Sequence, residues 1–559
     1  MPEAQLSGRK RHGALIALSF LPALIVPVMI WYYSVDVPVY DDWGIITPLF
    51  SKFHQGSLSL YDLFSQANES RPVFPRILFI ALGELTKGDY RAYLMLFWLV
   101  AVGTSVLLYK LCALTVSPDD RVCALLMFLV NLFMFSLRPT ETWLWATTSV
   151  MLLLPIGCMV LAFYVLQLKL CPWRQNLATA TLCFIATFSF VFGLSSWFLI
   201  GPCLIAKNWK RVRSPLLYLG LWLLPCVLSF YLYFRDYTTP PYHPDLHLAL
   251  HQPRDAYRYF FTFLGASVSM GLSTQYVKYL GCALFLLFAF ISLWALRFYK
   301  EARFSERYLV WLALGVYPIF AAAVTTAGRL GFGIDTALSS RYSTHTAFLP
   351  IALLFLTPMA LRDAKPELKF KPLGVAALVV ALSFCAVLSS VAAWPSYAAW
   401  RSRQTVRKCA LTFLRLNTRN TPNLFWMPNA ELLGLAEELD GRGFWRSPMA
   451  KTFAEYAQPD VSGSGSFDGF VHASGDDYDV AGVALLPASG ARPADAVVFT
   501  AEHDGVQDVV GVAEVDGDRR KGAWSARLNL PLHSTLIRAW SFDQATGKCY
   551  GMSGRFTVE

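Results

Sequence analysis

The sequence predicts a polytopic α-helical membrane protein that ends in a β-sandwich domain. The chain has 559 residues, of which 55% are hydrophobic and only 15% are charged, whereas a soluble domain is about 25% charged. Its mean hydropathy is +0.43. Apolar runs of roughly 20 residues, long enough to cross a bilayer, recur as far as residue 394, and short alternating runs follow residue 463. We therefore expect a membrane part followed by a soluble part.

We predict about 11 transmembrane helices from the length and hydropathy of these runs. Two shorter runs between residues 176 and 207 are broken at Phe192-Gly-Leu194, which predicts a tight helical hairpin. The segment Val73–Leu85 is apolar but contains Arg76, so we expect an interfacial or re-entrant helix there. The single crossings are predicted at 13–33, 90–114, 121–137, 143–167, 215–234, 276–297, 307–326, 345–361 and 372–394.

Basic residues predict the orientation of this membrane part. With a cytoplasmic N-terminus, the predicted inner loops hold 19 Lys and Arg residues and the outer loops hold 12, as the positive-inside rule requires. The segment Arg9–Tyr33 resembles a signal peptide, but its apolar stretch is long enough to span, so we expect an uncleaved first helix. An odd number of crossings then places the C-terminal domain on the periplasmic side.

Composition also divides the chain. We expect a transmembrane domain over residues 1–394, a helical connector over 395–462 and a β-sandwich over 463–559, where about seven short strands follow the linker Gly463-Ser-Gly465.

The two parts of the chain also differ in charge. Residues 459–559 contain 14 Asp and Glu against 8 Lys and Arg, so the rest of the chain carries a formal charge of +16. We attribute that charge to loops at an anionic bilayer. Nucleic-acid binding is disfavoured, because no basic run exceeds Arg9-Lys-Arg11.

The first predicted outer loop carries most of the candidate chemistry. Asp41 and Asp42 follow the first apolar segment, and Asn68-Glu-Ser-Arg71 and Phe74-Pro-Arg76 come later in the same loop. Ionisable residues at the edge of a membrane bundle are costly unless they are paired or functional. A second outer loop contributes Glu141, and a third contributes Arg341 and Tyr342.

Carboxylates and arginines on one face suit a phosphate-bearing substrate. Arginine binds phosphate through bidentate, charge-assisted hydrogen bonds, and a carboxylate beside an acceptor hydroxyl can take its proton. Structural roles are open alternatives: Asp41 or Asp42 as a helix cap, Glu141 as a cap of the helix near Trp143, and Arg341 as the partner of Asp335. Arg71 and Arg76 could simply reach lipid headgroups.

These motifs resemble those of the GT-C superfamily of integral-membrane glycosyltransferases. The acid pair after the first helix, the short interfacial helices and Arg341-Tyr342 before a late helix carry the resemblance, over residues 13–394. Asn68-Glu-Ser-Arg71 with Phe74-Pro-Arg76 is similar to an Asn-Glu-x-Arg…Phe-Pro-Arg pattern of bacterial polytopic proteins. This chain has Ser70 where that pattern would have a second basic residue, His.

The resemblance implies an enzyme of the bacterial inner membrane, with Asp41 or Asp42 as the catalytic acid of the first-loop motif. It would move a sugar from a polyprenyl-phosphate donor to an envelope glycan or lipid acceptor on the periplasmic face. We predict no metal site, and a divalent cation as cofactor is left open. A transporter or flippase for an envelope lipid or glycan is the alternative. The candidate catalytic residues are Asp41, Asp42, Glu69 and Glu141, and the candidate phosphate ligands are Arg71, Arg76, Arg341 and Tyr342.

Overall fold

The structure is a computed structural model, and it divides into two compact units. Unit 1 comprises Met1–Tyr32, Ser59–Leu78 and Tyr93–Trp394, and unit 2 comprises Tyr33–Leu58, Phe79–Ala92 and Pro395–Glu559. The three-domain division expected from the sequence stays a prediction. The residues described are 13–301, 304–363, 371–416, 425, 429–444, 449–458, 462–487, 492–503, 506–516, 522–530 and 535–558.

The chain is a multi-pass membrane protein. Within the described residues, 8 helices are long and apolar enough to cross a bilayer, or 9 if the bent pair Gly13–Ser19 and Leu21–Tyr33 forms one span. The eight are Tyr90–Thr115, Ala146–Gln167, Val191–Asn208, Pro215–Phe234, Thr274–Phe298, Phe304–Phe332, Tyr342–Asp363 and Leu373–Thr412. The last of these spans runs through two consecutive helices, Lys371–Ala392 and Trp394–Thr412.

The predicted number of eleven crossings is not confirmed, although helices occur at all the predicted places. Two helices at predicted crossings, Asp120–Met134 and Pro172–Thr187, are not among these 8 or 9 spans. They have 15 and 16 residues. At about 1.5 Å per residue, each is only some 23 Å long, less than the roughly 30 Å of a hydrocarbon core. That these two helices cross the bilayer therefore stays a prediction.

The predicted helical hairpin is present. Pro172–Thr187 and Ser195–Asn208 are joined through the 3₁₀ turn Val191–Leu194. A Cβ on Gly193 would lie 1.9 Å from the carbonyl oxygen of Ala186, so only glycine fits at this bend. The turn thereby brings Phe190 and Phe192 to one wall of a cavity in unit 1.

Shorter helices lie between the long ones. The helix Val73–Thr86 has 14 residues, too few to cross a bilayer. The other short α-helices are Asp41–Ile45, Thr47–His54, Leu60–Phe64, Thr140–Leu144, Leu248–His251, Pro253–Leu264 and Asn429–Gly441. The long helix Leu309–Arg329 ends in two 3₁₀ turns, Leu330–Phe332 and Ile334–Leu338, before the chain reaches Arg341.

The C-terminal part of unit 2 consists of two sheets. The strands are β1 Ala457–Gln458, β2 Gly465–Ser474, β3 Asp477–Leu486, β4 Arg492–Pro493, β5 Ala496–His503, β6 Val506–Ala513, β7 Ala523–Asn529, β8 Thr535–Asp543, β9 Lys548–Gly551 and β10 Phe556–Val558. One sheet has the order β1-β9-β8-β5-β6 with β10 on β8, and the other has the order β2-β3-β4 with β7 on β3. All pairs are antiparallel except β1 with β9.

The two sheets share one apolar core. Phe467 of β2 contacts Phe499 of β5 and Trp524 of β7, with ring centroids 6.1 Å and 5.7 Å apart. All three side chains belong to one buried cluster that draws residues from both sheets. Alternation of apolar residues along each strand produces this core, because successive side chains point to opposite faces of a sheet.

Candidate functional site

Unit 1 contains a cavity of about 180 Å³ that is lined by charged and aromatic side chains. Its walls come from the turn at Glu69, the hairpin bend at Phe190–Phe192, the loop around His243 and the segment 324–345. These segments are far apart in sequence. The loop after the long helix packs closely on the His243 segment, because a Cβ on Gly331 would lie 2.3 Å from Pro244 Cβ.

A tight turn presents Glu69 to this cavity. Ala67 and Ser70 exchange backbone hydrogen bonds of 2.8 and 2.9 Å, and Asn68 between them has φ +49°, a left-handed conformation that asparagine tolerates better than most residues. The Tyr242 hydroxyl donates to Asn68 Oδ1, and the Tyr233 hydroxyl donates to the Glu69 carbonyl at 2.6 Å. The turn is therefore held rigidly.

Glu69 pairs with two basic groups from other segments. Its Oε1 accepts a hydrogen bond of 2.6 Å from Arg329 Nη2, and its Oε2 lies 3.7 Å from His243 Nε2. Glu69 Oε2 and His243 Nε2 are buried and make no hydrogen bond among the described residues. Buried polar atoms are seldom left without partners in folded proteins, so this corner of the cavity is suited to a polar ligand.

The charge state of His243 follows from these neighbours. Burial lowers the pKa of His243 below its usual value, the nearby Glu69 carboxylate opposes the shift and the Arg329 guanidinium adds to it. Desolvation wins, so the neutral imidazole is favoured near neutral pH. The cluster then carries one negative and one positive charge, on Glu69 and Arg329.

A second arginine–carboxylate pair borders the same cavity. Glu141 Oε1 lies 3.2 Å from Arg341 Nη1, and its Oε2 accepts hydrogen bonds from Ser339 Oγ, Ser340 Oγ and the Arg341 backbone N–H. Glu141 thus holds the segment that carries Arg341. The open alternative that Arg341 pairs with Asp335 does not describe this structure, in which Asp335 accepts a hydrogen bond from Thr274 Oγ1.

Arg341 lies between rings as well as beside a carboxylate. Its guanidinium carbon lies 5.9 Å from the ring centroid of Trp145 and 5.4 Å from that of Tyr342, within the range of cation–π contacts. Tyr342 in turn packs on Phe263, with ring centroids 4.9 Å apart. Both Arg341 and Tyr342 line the cavity, so these two predicted phosphate ligands occupy one site.

The structure places Arg71 differently. Its guanidinium donates to the carbonyl oxygens of Tyr233, Phe64 and Arg235, and the side chain is buried. Arg71 therefore ties the turn that carries Glu69 to the helix Pro215–Phe234. Its predicted role as a phosphate ligand stays a prediction.

Arg76 is also bound to backbone. Its Nη1 donates to the carbonyls of Asp62, Leu63 and Ser65, the last at 2.6 Å. Burial lowers the pKa of Arg76 to about 10, which still leaves the group charged at neutral pH. Neither Arg71 nor Arg76 is among the residues that line the cavity.

His345 lines the cavity from the start of a late helix. The side chain is fully buried, its Nδ1 is 2.7 Å from the Tyr317 hydroxyl, and its Nε2 makes no hydrogen bond among the described residues. Its ring is parallel to that of Phe190 at 6.3 Å between centroids and meets Phe192 edge-on at 4.7 Å. The imidazole orientation is therefore fixed on three sides.

Asp41 and Asp42 belong to unit 2, and the structure distinguishes between them. Asp42 is only 1% exposed, and its Oδ2 accepts hydrogen bonds from the Val39 backbone N–H at 2.8 Å and from the Tyr90 hydroxyl. Asp41 is exposed and begins the helix Asp41–Ile45. Neither caps that helix, whose N-cap is Tyr40 without a side-chain cap hydrogen bond.

The residue before Asp41 has an unusual backbone. Tyr40 has φ +46° and ψ −114°, a combination that side-chain-bearing residues seldom adopt. Its ring receives the Arg407 guanidinium at 4.2 Å from the centroid. Strained residues that persist because their surroundings hold them are often found next to functional groups, and here the strain lies beside the exposed acid.

Sequence reasoning did not assign a role to three residues of the cavity. These residues are Arg329, His243 and His345, all of which line the cavity. The signal for Arg329 is its place at the end of an apolar helix, where a charge needs a partner. Among the described residues, no group of three or more His, Cys, Asp or Glu could hold a metal ion.

Comparison with known proteins gives a distant likeness to a solved structure. No protein-family model matches the chain, and no curated protein matches it either. Among solved structures, the chain is similar to the crystal structure of ArnT from Cupriavidus metallidurans bound to undecaprenyl phosphate. That similarity has a TM-score of 0.41 and 13% sequence identity, and it covers 76% of this chain and 84% of that chain.

Proposed function

We propose that this chain is an integral-membrane glycosyltransferase of the GT-C type, and that the cavity of unit 1 binds the phosphate of a polyprenyl-phosphate sugar donor. The sugar would pass to an envelope glycan or lipid on the periplasmic face of the inner membrane. The observation that carries this proposal is the convergence of Arg329 and Arg341 on one cavity, each hydrogen-bonded to its own carboxylate.

The chemistry of sugar transfer makes two arginines useful at this place. The acceptor hydroxyl oxygen attacks the anomeric carbon, the bond from that carbon to the phosphate oxygen breaks, and its electron pair stays on the phosphate. The lipid phosphate therefore gains one negative charge as it leaves. Cationic groups that are already in position stabilise that developing charge more than the charge of the donor, and arginine matches phosphate geometry.

The place of the cavity in the chain suits a lipid-borne substrate. Arg329 ends the helix Leu309–Arg329, and His345 lies in the first turns of the span Tyr342–Asp363. Both groups therefore lie at the ends of membrane helices, the depth at which a lipid phosphate resides. The hydrophobic chain of the lipid would remain in the bilayer while its phosphate enters the cavity.

The carboxylates of the cavity suit supporting roles. Glu69 and Glu141 are each committed to an arginine, so we assign to them the positioning of Arg329 and Arg341. The role of general base stays with the acid pair of the first outer loop, on the strength of its motif. Asp41 is the better candidate of the two, because it is exposed to solvent whereas Asp42 is only 1% exposed.

The test uses the purified full chain in liposomes with a panel of radiolabelled polyprenyl-phosphate sugars and an envelope extract as acceptor. A glycosyltransferase releases free polyprenyl phosphate and labels the acceptor, whereas the alternative, a transporter or flippase, moves the intact donor across the bilayer. Loss of release in Arg329→Gln and Arg341→Gln, but not in Arg258→Gln outside the cavity, is expected. Intact donor movement without bond cleavage would overturn the proposal.

A further inference from the structure

The cavity contains a buried histidine that neither the charge pairs nor the base role uses. His345 is fully buried, and three rings surround it: Phe190, Phe192 and Tyr317. It lines the same cavity as Arg329 and Arg341. Its Nε2 makes no hydrogen bond among the described residues. A buried polar nitrogen in that state lowers stability, because it has lost its hydrogen bonds to water without gaining others.

The hydrogen bond to Tyr317 determines which nitrogen is available. Tyr317 Oη and His345 Nδ1 are 2.7 Å apart. If the tyrosine hydroxyl donates, Nδ1 is the acceptor and the proton of the neutral ring lies on Nε2. The opposite arrangement would leave both the hydroxyl proton and the Nε2 lone pair without partners. The first arrangement leaves one unsatisfied donor, the Nε2–H, and its ring faces the cavity.

We propose that His345 Nε2–H donates a hydrogen bond to an oxygen of the donor phosphate, with Tyr317 as the positioning residue that keeps the proton on that nitrogen. This inference rests on the proposed function of the cavity. It adds a neutral donor to the charged ones: the arginines provide positive charge, and His345 provides direction. The two guanidinium groups already face two carboxylates, so the charges of these pairs balance one another. A neutral hydrogen-bond donor such as His345 does not disturb that balance.

The ring contacts explain how direction is maintained. Phe190 is parallel to the imidazole within 3°, and Phe192 is perpendicular to it at 89°. The ring therefore cannot rotate without displacing a wall of the cavity. A donor that is already oriented costs little to use at the moment of reaction, which is the general advantage of preorganised hydrogen bonds.

Matched substitutions separate this role from simple packing. The amide nitrogen of glutamine can take the place of Nε2, whereas that of asparagine takes the place of Nδ1. The probe is undecaprenyl phosphate, bound to the purified full chain in nanodiscs. We expect His345→Gln to retain its affinity within about threefold, and His345→Asn and Tyr317→Phe to lose about tenfold or more, as for a hydrogen bond to a charged group.

A spectroscopic measurement keeps the test independent of folding. In the unsubstituted chain with ¹⁵N-labelled histidine, the probe should shift an Nε2–H resonance that is absent from His345→Gln. Equal affinity of all three variants, or an Nδ1–H tautomer, would overturn the inference. The arginine variants distinguish its failure from that of the proposed function: if Arg329→Gln and Arg341→Gln also bind normally, the cavity does not bind the phosphate at all.

Discussion

Arg329 Nη2 donates a hydrogen bond of 2.6 Å to Glu69 Oε1, across 260 positions of the sequence. This pair joins the turn at Glu69 to the end of a long apolar helix. Both side chains are less than a quarter exposed, so solvent screens their attraction only partly. The carboxylate thus does two things at once: it holds the guanidinium in place and it reduces the positive charge available to an anion.

Replacement of Glu69 by glutamine should separate these two effects. Glu69→Gln keeps the shape and one hydrogen-bond acceptor for Arg329, but it removes a negative charge beside the proposed phosphate. We expect undecaprenyl phosphate to bind about tenfold more tightly, about 1.4 kcal/mol, and turnover to slow because the product leaves more slowly. Equilibrium binding and product-inhibition kinetics measure both quantities.

The control for that substitution is Asp255→Asn, which removes a carboxylate from the pair Asp255–Arg258. Neither residue lines the cavity, so affinity should not change. Weaker binding by Glu69→Gln would contradict the prediction, because it would mean that holding Arg329 in place outweighs the neutralisation of its charge.

Asp41 and Asp42 should respond differently to the same change. Asp42→Asn keeps an oxygen that can accept from both the Val39 N–H and the Tyr90 hydroxyl, but the uncharged amide oxygen is a weaker acceptor than the carboxylate, so both buried hydrogen bonds weaken. The cost should be about 1–3 kcal/mol of stability. Asp41→Asn should leave thermal stability unchanged and reduce transfer by about a hundredfold or more, as for loss of a general base.

Thermal unfolding and initial rates on the same preparations check this difference. Tyr90→Phe is the matched control for Asp42, since it removes only the hydroxyl that donates to it, and it should lower stability without touching Asp41. Full activity in Asp41→Asn would remove this residue from the mechanism and leave the first-loop motif without a base.

Much of the fold follows from local patterns. A run of about 20 apolar residues needs only length and hydropathy to be recognised, and the predicted span 215–234 coincides with the helix Pro215–Phe234. Seven strands were predicted from alternation, and each is present, for example β5 from Ala496. The strands β1, β4 and β9 have two to four residues, too few for any alternation to be visible.

The site was less accessible to sequence reasoning, because it depends on which charges meet. Arg71 and Arg341 look alike in the sequence, yet three backbone carbonyls bind the guanidinium of Arg71, whereas Arg341 faces a cavity. The packing of residues 233–235 against the turn that carries Glu69 decides which of these two environments Arg71 has. In the same way, no local pattern pairs Glu69 with Arg329, since no spacing rule extends over such a separation.

That difference between the arginines predicts opposite effects of one conservative change. Lysine is a point charge and cannot reproduce the planar fork of arginine. Arg71→Lys should lower stability by about 2–4 kcal/mol, since about two hydrogen bonds from a charged donor are lost, and leave the affinity of the folded fraction for undecaprenyl phosphate unchanged. Arg341→Lys should leave the melting temperature nearly unchanged and weaken that affinity about tenfold.

The two measurements are thermal unfolding and equilibrium binding, made on both variants in the same nanodiscs. Reduced affinity in a fully folded Arg71→Lys would support the role of phosphate ligand that the sequence suggested for Arg71. It would also require the carbonyl contacts to open when the ligand binds.

The histidine beside Glu69 makes stability depend on pH in one direction. Burial lowers the pKa of His243 in the folded chain, while the unfolded chain has the usual value of about 6.5. Between these two values the unfolded state binds more protons than the folded state, so stability rises with pH and is lost as pH falls below about 6.5. His243→Asn should remove this part of the pH dependence, measured as melting temperature from pH 5 to pH 7.5.

Undecaprenyl phosphate should reduce the same slope of stability against pH, because an anion beside His243 favours the charged imidazole and raises its pKa. A slope that is the same with and without His243, or that steepens with the lipid, would contradict the placement of a phosphate in this cavity.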